Sequence, residues 1–239
     1  MSVLHTLSII IPTYNEEKTI CLLLNKLKNV VLTNNIKKEI IIVNDCSTDK
    51  TELVIKKYIS ENTDLPISYF YHQTNKGKGA ALQTGIKNAL GEFLIIQDAD
   101  LEYNPNEYNI LLQPIIDNLT DVVYGSRFIK NNDTIFFCWH TMGNKFLTFL
   151  SNLFTSFDVT DMETCYKVFN TKMIQSIDLK EKGFGFEPEI TAKISKIPQI
   201  RITEIPISYT RRTYKEGKKI TWKDGFRAIY CILKYNLFK

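Results

Sequence analysis

Three carboxylates stand close together at the end of an apolar run in the sequence. Asp98, Asp100 and Glu102 follow "EFLIIQ" at intervals of two residues. An extended chain places every second side chain on the same face, so the three groups can point one way and repel one another. One interpretation is a strand that ends in acidic turn residues facing solvent, with Pro105 marking the exit. The other is a site for Mg²⁺ or Mn²⁺, because hard cations prefer carboxylate oxygens.

The elements that must position these groups alternate along the first half of the chain. Short apolar, β-branched runs predict strands at "LSIIIP", "EIIIVND", "ISYFYHQ" and "EFLIIQD". Apolar residues at helical spacing and capping clusters predict helices at "NEEKTICLLLNKLKNVV", "STDKTELVIKKYISEN" and "KGKGAALQTGIKNAL". Four strands joined by helical crossovers predict an α/β fold with a mostly parallel sheet covered on both faces.

A polar motif follows each predicted strand. These motifs are "PTYNEE", "NDCSTD", "NKGKG" and "DADLE", in chain order. Ligands of open parallel sheets bind at the carboxyl ends of the strands. Four polar motifs at that edge favour a binding site over acidic residues that merely meet solvent.

Composition limits the class of protein. The chain has 239 residues, of which 44% are hydrophobic, and a net charge of +4. This is ample for a full core, and we expect one large domain rather than two small ones. The charge is too mild to indicate nucleic acid. Five cysteines, widely spaced and without a C-x-x-C pair, indicate reduced thiols in a cytoplasmic compartment and argue against zinc. The sequence predicts neither a signal peptide nor a transmembrane helix.

The ordered set of motifs resembles a known family. "SIIIPTYNEEKTI", "EIIIVNDCSTDKT", "NKGKGAAL", "LIIQDADLEYNP" and "VVYGSRF" are similar to motifs of family 2 glycosyltransferases of GT-A fold. "FGFEPEITAKI" and "EIPISYTRRTYKEGKK" extend the likeness to the polyprenyl-phosphate sugar transferases of the dolichol-phosphate mannose synthase type. The resemblance implies an inverting transfer of a hexose from a donor such as GDP-mannose or UDP-glucose, with Mg²⁺ or Mn²⁺ against the pyrophosphate.

The resemblance also implies a set of site residues. Asp98 and Asp100 match the metal-binding acids. Glu102 stands where the family often has Gln, and a carboxylate there should act as a third metal ligand that tightens cation binding. The matched nucleotide-sugar-binding residues are Pro12, Tyr14, Glu16, Val43, Asp45, Lys76, Lys78, Asp98, Ala99, Asp100 and Arg127. Of these, Asp45 matches the acid that recognises the base or ribose, and Arg127 an arginine aimed at phosphate.

Two features of this set have alternative interpretations. Lys76 and Lys78 flank glycines at a predicted helix start, where backbone N–H groups and the helix dipole favour an anion. The alternative is an ordinary turn with solvated lysines. For Arg127, the guanidinium fork suits bidentate recognition of phosphate oxygens, and the alternative is a surface ion pair.

The sequence departs from the family pattern at two neighbouring positions. Asn44 and Cys46 stand where many relatives have Asp and Gly. Asn44 removes a charge beside Asp45, which bears on base preference more than on binding. Cys46 fits a tight turn less freely than Gly. We expect it to be buried and inert, with alkylation as the alternative if it is exposed.

The second half of the chain contains two segments that suit a membrane surface. Apolar residues fall on a helical stripe at Phe146, Phe149, Leu150, Leu153, Phe154 and Phe157, which predicts a core face or, alternatively, a helix at a bilayer surface. From Thr210 onward, nine Lys or Arg face two acids and are interleaved with aromatic residues. Such a segment attracts anionic headgroups while its rings lie at the interface.

The acceptor decides whether a general base is needed. A sugar hydroxyl must lose a proton as it attacks, whereas a lipid phosphate is already largely ionised. "DVTDMETCYKVF" offers Asp158, Asp161 and Glu163 near the position of the base in hydroxyl-transferring relatives, without a clear match. The resemblance makes Asp161 structural or acceptor-positioning. It also assigns Arg212 and Lys218 to a cationic loop over the phosphates, so the predicted catalytic residues are Asp98, Asp100, Arg127, Arg212 and Lys218.

These expectations combine into one hypothesis. We expect a GT-A domain over residues 1–210, and an acceptor loop and basic amphipathic segment over residues 211–239 packed on the same domain. The protein is expected to transfer a hexose to a polyprenyl phosphate as a peripheral enzyme on the cytoplasmic face of a membrane, without nucleic acid. Whether a membrane-spanning partner protein is required stays open. The alternatives are a transferase of the same fold that extends a saccharide chain and a catalytically silent nucleotide-sugar-binding or membrane-scaffolding protein.

Overall fold

The first four strands and three helices form where the sequence predicts them. The computed structural model describes residues 5–129, 139–212 and 222–238. Its first half consists of β1 (Thr6–Thr13), α1 (Ile20–Asn29), β2 (Lys37–Asn44), α2 (Thr51–Glu61), β3 (Ile67–Tyr71), α3 (Lys78–Asn88) and β4 (Phe93–Ile96). The second half adds α4 (Tyr108–Ile116), β5 (Val122–Ser126), α5 (Trp139–Thr155), β6 (Lys167–Asn170), α6 (Thr171–Gln175), α7 (Phe186–Ile194), β7 (Ile202–Pro206) and α8 (Trp222–Leu237).

The strands form one sheet in the order β3-β2-β1-β4-β6-β5-β7. All neighbouring pairs are parallel except those of β6, which is antiparallel to β4 and β5. The expected mostly parallel α/β sheet is therefore confirmed. The strand order reverses beside β1, because β2 lies on one side of it and β4 on the other. Loops leaving β1 and β4 diverge at this point and open a crevice at the carboxyl edge of the sheet.

Helices cover both faces of the sheet, so its central strands are apolar throughout. Ile9, Ile10 and Ile11 are completely buried, as are Leu94 and Ile95 of the adjacent β4. Such continuous runs are typical of parallel strands that lie between two helical layers. This rigid centre fixes the position of every loop at the carboxyl edge.

Helix α3 packs directly on β1 because residue 85 has no side chain. A Cβ atom on Gly85 would lie 2.3 Å from Cγ2 of Ile10. We expect Gly85→Ala to lower the free energy of unfolding by about 1–3 kcal/mol, since the buried isoleucine would have to move. Urea unfolding followed by circular dichroism measures this change.

The matched control for this change is Gly143→Ala in α5. A Cβ atom on Gly143 would meet nothing within 4 Å, so alanine should hold or raise stability by up to about 1 kcal/mol through its better helix propensity. If both alanine variants gave the same change in stability, the close approach of α3 to β1 would be contradicted.

Helix α5 exposes part of its apolar stripe. Phe146, Phe149 and Leu153 are 54%, 65% and 65% exposed, while Thr148 and Ser151 are buried beneath them. The remaining stripe residues, Leu150, Phe154 and Phe157, are half-buried against the core. The predicted helix is confirmed, but the core interpretation is wrong for the three exposed residues. Periodicity identifies a helical face without saying which side meets the protein.

Helix α8 also exposes large apolar side chains, and its buried side packs against α5 and α7. Trp222, Phe226 and Tyr230 are more than half exposed, whereas Ala228 and Ile232 are buried. None of the helices within the described ranges is both long and apolar enough to cross a bilayer.

Candidate active site

Asp45, at the end of β2, holds the glycine-rich loop in place. Its carboxylate accepts hydrogen bonds from the backbone N–H groups of Lys76 and Gly77, at 2.9 and 2.6 Å. Nδ1 of His72 lies 2.7 Å from the same carboxylate, and Nε2 of His72 lies 2.9 Å from the hydroxyl of Thr84 in α3. Asp45 therefore positions the loop between β3 and α3. The sequence-based reasoning did not single out His72, although it directly follows a predicted strand.

The glycines of this loop allow a second segment to approach its backbone. Gly77 has φ of +95°, and a Cβ atom there would lie 2.4 Å from the carbonyl oxygen of Lys182. A Cβ atom on Gly79 would lie 2.3 Å from that of Glu181. The backbone N–H of Ala80 donates to Lys182 at 3.0 Å. The backbone N–H groups of Lys76, Gly77 and Ala80, at the predicted anion site, thus already donate hydrogen bonds within the protein. The anion next to this helix start is the Asp45 carboxylate.

Lys78, the first residue of α3, joins two carboxylates. Its ammonium lies 3.0 Å from Oδ1 of Asp98 and 3.2 Å from Oε1 of Glu187. Burial alone would lower the pKa of Lys78, but the two carboxylates outweigh it and raise the pKa well above its usual value. The alternative of a solvated lysine is wrong for Lys78 and holds for the exposed Lys76.

Asp100 lies in surroundings that disfavour its ionised form. Burial, the charge of Asp98 and the charge of Glu102 raise the pKa of Asp100 to about 7, against the opposing effect of Arg212. By contrast, the pKa of Asp98 is lowered, since Lys78 outweighs the effect of burial. The two aspartates on this strand end are therefore electrically distinct, and Asp100 is the one that would gain most from a nearby cation.

Arg212 supplies positive charge at this point. Its guanidinium lies 3.0 Å from Asp100 and 3.2 Å from Glu16. Its backbone N–H donates to Glu102 at 2.7 Å, and the hydroxyl of Tyr209 donates to the same carboxylate at 2.7 Å. Arg212 thus ties together the loops that follow β1, β4 and β7. Lys218, its predicted companion, lies outside the described residues.

The three predicted metal ligands do not form one ready-made site. Within residues 5–129, 139–212 and 222–238, no group of three or more His, Cys, Asp or Glu side chains is placed to hold a metal ion. Glu102 is directed to Tyr209 and Arg212 instead, which anchors the segment after β7. Asp98 and Asp100 remain as two carboxylates at the carboxyl edge of the sheet, a number that suits Mg²⁺ when a phosphate ligand completes the coordination.

Arg127, which follows β5, is held rigidly by Asp161. Its Nε and Nη2 atoms each lie 2.7 Å from a different oxygen of the Asp161 carboxylate. The guanidinium also lies 5.2 Å from the ring centre of Tyr209. With 12% of its side chain exposed and Asp161 fully buried, the pair does not fit the alternative of a surface ion pair. Asp161 thus orients Arg127, which is a structural role.

The remaining predicted residues lie near the carboxyl ends of β1 and β2 or in the loops that follow β1 and β4. Pro12 and Tyr14 are half-buried. Val43 and Ala99 are buried, so they contribute backbone rather than side chains to the crevice. Asn15 joins the loop after β1 to the loop after β2, because its side-chain oxygen accepts a hydrogen bond from the backbone N–H of Thr48 at 2.8 Å.

The two departures from the family pattern have structural partners. Asn44 is completely buried, donates to the Tyr69 hydroxyl at 3.0 Å and accepts from the backbone N–H of Ser47 at 3.0 Å. Cys46 has φ of +59°, a conformation that favours glycine. Its thiol is half-buried and lies 3.6 Å from the carbonyl oxygen of Gln73. The four described cysteines, Cys21, Cys46, Cys165 and Cys231, are unpaired thiols.

The chain is similar to two named glycosyltransferases along most of its length. The protein is 30% identical to a UDP-N-acetylglucosamine–dolichyl-phosphate N-acetylglucosaminyltransferase of Methanococcus voltae, over 97% of this chain and 96% of the relative. It is 28% identical to an undecaprenyl-phosphate mannosyltransferase of Micrococcus luteus, over 87% of this chain and 85% of the relative. Both relatives lie in the polyprenyl-phosphate branch that the motifs resemble.

Solved structures give the fold. Glucosyl-3-phosphoglycerate synthase from Mycobacterium tuberculosis, crystallised with Mn²⁺ and UDP-glucose, superposes with a TM-score of 0.73 over 98% of this chain and 80% of that one, at 16% identity. The GT-A expectation is thereby confirmed. The profile of the family described as Glycosyl transferase family 2 matches residues 8–178. The chain is therefore a glycosyltransferase and belongs to family 2.

Proposed function

We propose that this enzyme transfers a hexose, with inversion, from a nucleotide-diphosphate sugar to a polyprenyl phosphate. The observation that carries this proposal is the pairing of Arg212 with Asp100 and Glu16 at the carboxyl edge of the sheet. A cation-binding acid and an anion-binding arginine then stand side by side, as a reaction between two phosphate-bearing substrates requires. The polyprenyl-phosphate relatives support the same substrate class.

The donor side of the site is built on Asp98 and Asp100. These carboxylates would hold Mg²⁺ or Mn²⁺ together with the donor diphosphate, and the cation would neutralise the leaving group. Lys78 keeps Asp98 ionised. The loops that carry Pro12, Tyr14 and Asp45 would hold the nucleoside, with Asp45 acting through the loop it positions.

The acceptor side uses arginines rather than a base. An ionised lipid phosphate needs no proton removed before it attacks. Arg127 is oriented by Asp161, and its guanidinium lies next to Tyr209. With a cation held by Asp100, the guanidinium of Arg212 would be available to the phosphates of donor and acceptor. Holding two anions together against their repulsion lowers the cost of bringing them into line.

The exposed apolar surface of α5 and α8 would place the enzyme at the membrane. We define this interfacial surface as Phe146, Phe149, Leu153, Trp222, Phe226 and Tyr230, all more than half exposed. Lys145 and Lys223 are exposed on the same helices. Aromatic rings beside lysines suit an interface that contains anionic headgroups. A peripheral position on the cytoplasmic face would bring a long lipid acceptor to a site on a protein whose described helices do not span the bilayer.

The test of the proposed function is a transfer assay with the purified full-length protein. Each common labelled nucleotide sugar is incubated with Mn²⁺ or Mg²⁺ and a polyprenyl phosphate, and label is counted in the organic phase. We expect one donor to label the organic phase. Label that enters only water-soluble saccharide would instead identify a chain-extending transferase, and no transfer or donor hydrolysis with any donor would identify a silent binding protein.

The membrane contact has its own test. We expect Phe149→Glu combined with Phe226→Glu to reduce sedimentation with anionic vesicles by roughly tenfold or more, since two interfacial rings are worth more than 1.4 kcal/mol together. Binding of the unmodified protein should also weaken at high salt, because lysines act through a screened field.

The control for vesicle binding is Leu90→Glu. Leu90 is 88% exposed but precedes β4, at the opposite edge of the sheet from the site. It should leave sedimentation unchanged. Equal loss in the control and the double variant, or sedimentation of the double variant like that of the unmodified protein, would contradict the interfacial surface.

A further inference from the structure

Two carboxyl oxygens beside the active site have no hydrogen-bond partner among the residues that the structure describes. They are Oε1 of Glu163 and Oε2 of Glu187, and both atoms are buried. Glu187 as a whole is only 5% exposed. A buried polar group left unpaired destabilises the fold, and more so when it is charged. An unsatisfied group of this kind calls for an explanation, and a ligand that supplies the missing partner is one.

Glu187 is connected directly to the catalytic edge of the sheet. One ammonium group, that of Lys78, lies 3.2 Å from Oε1 of Glu187 and 3.0 Å from Oδ1 of Asp98. The unpartnered Oε2 is the other oxygen of the same Glu187 carboxylate. A ligand group that binds Oε2 of Glu187 would therefore lie close to a group bound by Asp98.

Glu163 lies in the same cluster on a firmly held backbone. Its immediate electrostatic neighbours are Glu187, Lys167, Arg127 and Asp161. The ammonium of Lys167 donates to the carbonyl oxygen of Met162 at 2.8 Å and also to that of Thr164.

The residues on either side of Glu163 are fixed as well. The backbone N–H of Met162 donates to Thr148 at 3.1 Å, and that of Cys165 donates to Tyr103 at 3.0 Å. The side chain of Cys165 in turn contacts Asp98. Glu163 is thus presented by a rigid turn next to the site, which is what a binding residue needs.

The two carboxyl groups have complementary hydrogen-bonding roles. Burial and the charge of Glu187 raise the pKa of Glu163 to about 8. At neutral pH Glu163 is therefore largely protonated and can donate, while Glu187, whose other oxygen is paired with Lys78, can accept. A sugar hydroxyl is both a donor and an acceptor, so neighbouring hydroxyls of a pyranose can satisfy both groups.

The described cationic side chains around the cluster already have partners. Lys78 is paired with Asp98 and Glu187, and Arg127 with Asp161. Lys167 is completely buried, with its ammonium bonded to backbone carbonyls. Among the residues that the structure describes, the cations of this cluster are thus already paired, so a sugar carboxylate would add a negative charge beside Glu187, and burying such a charge is costly.

We propose that Glu163 and Glu187 bind hydroxyl groups of the transferred sugar and select a neutral pyranose over a uronic acid. This inference rests on the proposed function, since it assigns a sugar subsite to the same active site. It assigns Glu163 and Glu187 to the recognition of the sugar. Lys78 then has a second role, because it holds Glu187 of this subsite next to Asp98.

The inference is tested by calorimetric binding, separately from transfer. The probes are UDP-glucose, UDP-N-acetylglucosamine, GDP-mannose and UDP-glucuronate, each compared with UDP or GDP alone in the presence of Mn²⁺. We expect a neutral nucleotide sugar to bind the unmodified protein more tightly than UDP-glucuronate. Glu187→Gln should weaken that binding by roughly ten- to a hundredfold, and Glu163→Ala by roughly three- to tenfold. Both variants should bind the bare nucleoside diphosphate within about twofold of the unmodified protein.

Glu39→Gln is the matched control, because this half-buried carboxylate accepts hydrogen bonds at the amino-terminal edge of the sheet. It should leave all affinities unchanged. Retained affinity for the bare nucleotide shows that a variant is folded. Tighter binding of UDP-glucuronate, unchanged sugar affinity in both variants, equal loss of sugar and bare nucleotide, or no binding of any nucleotide sugar would each overturn the inference. If the neutral donor binds as expected but labels no polyprenyl phosphate, the proposed function fails and the sugar subsite stands.

Discussion

Asp100→Asn should reduce sugar transfer to polyprenyl phosphate by roughly a hundredfold or more while leaving the protein folded. The expected loss follows from the removal of a charge that would hold the cation against the leaving diphosphate. Asparagine has nearly the same size, so packing is preserved. Transfer rates at saturating donor and metal, compared with the unmodified protein, measure the effect.

The stability of this variant provides a second readout. Burial and two neighbouring acids raise the pKa of Asp100 to about 7. Because the folded-state pKa lies above the unfolded value, ionising this group destabilises the fold progressively as pH rises from about 4 to about 7. Asparagine has no such cost, so the thermal midpoint at pH 8 should not fall.

The matched control for Asp100 is Asp121→Asn. Asp121 is also paired with an arginine, at 2.8 Å from Arg201, but at the far edge of the sheet. It should lower stability slightly, by at most about 1 kcal/mol, and leave transfer unchanged. Full activity of Asp100→Asn at saturating metal would remove Asp100 from the proposed metal site.

Arg212→Ala has the second-largest expected effect. Loss of a charge-assisted contact to phosphate should slow transfer by roughly ten- to a hundredfold, corresponding to about 1.5–3 kcal/mol. The same change leaves Asp100 and Glu16 without the guanidinium between them. Mn²⁺ should therefore bind more tightly in the absence of donor, because a competing cation has been removed. Steady-state kinetics and calorimetric Mn²⁺ titration measure the two effects.

Two further variants sharpen the interpretation of Arg212. Arg212→Lys retains the charge but not the planar fork, and should fall between the unmodified protein and Arg212→Ala in rate. Arg201→Ala removes an arginine of the Asp121 ion pair and should change neither rate nor Mn²⁺ affinity. Normal transfer by Arg212→Ala would mean that Arg212 is only a structural tie between loops.

Local patterns were sufficient to predict the first half of the fold. The runs that end in Thr13, Asn44, Tyr71 and Ile96 form strands at the predicted places, because β-branched runs between capping signals leave few alternatives. The pairing of β6 could not be predicted in this way. Its four residues are paired antiparallel with β4 and β5, and such a short segment has no periodicity from which direction could be inferred.

The positions of the site residues could be predicted from the sequence, but their contacts could not always be predicted. The carboxyl-edge motifs of Asp45, Asp98 and Arg127 lie at the ends of β2, β4 and β5, as strand geometry requires. Asp45 nevertheless binds the loop at Lys76 and Gly77. That contact joins residues more than 30 positions apart and depends on how β3 and α3 close over β2, which no local pattern contains. The unpartnered oxygens of Glu163 and Glu187 likewise became visible only in three dimensions.

In the proposed reaction an ionised lipid phosphate, held by arginines, attacks the sugar without a general base. Transfer to a polyprenyl phosphate is compared with transfer to the polyprenol of the same length, using the active donor and metal. We expect label in the organic phase with the phosphate and none with the alcohol. Comparable transfer to the polyprenol, or transfer to a soluble saccharide in preference to either lipid, would contradict it.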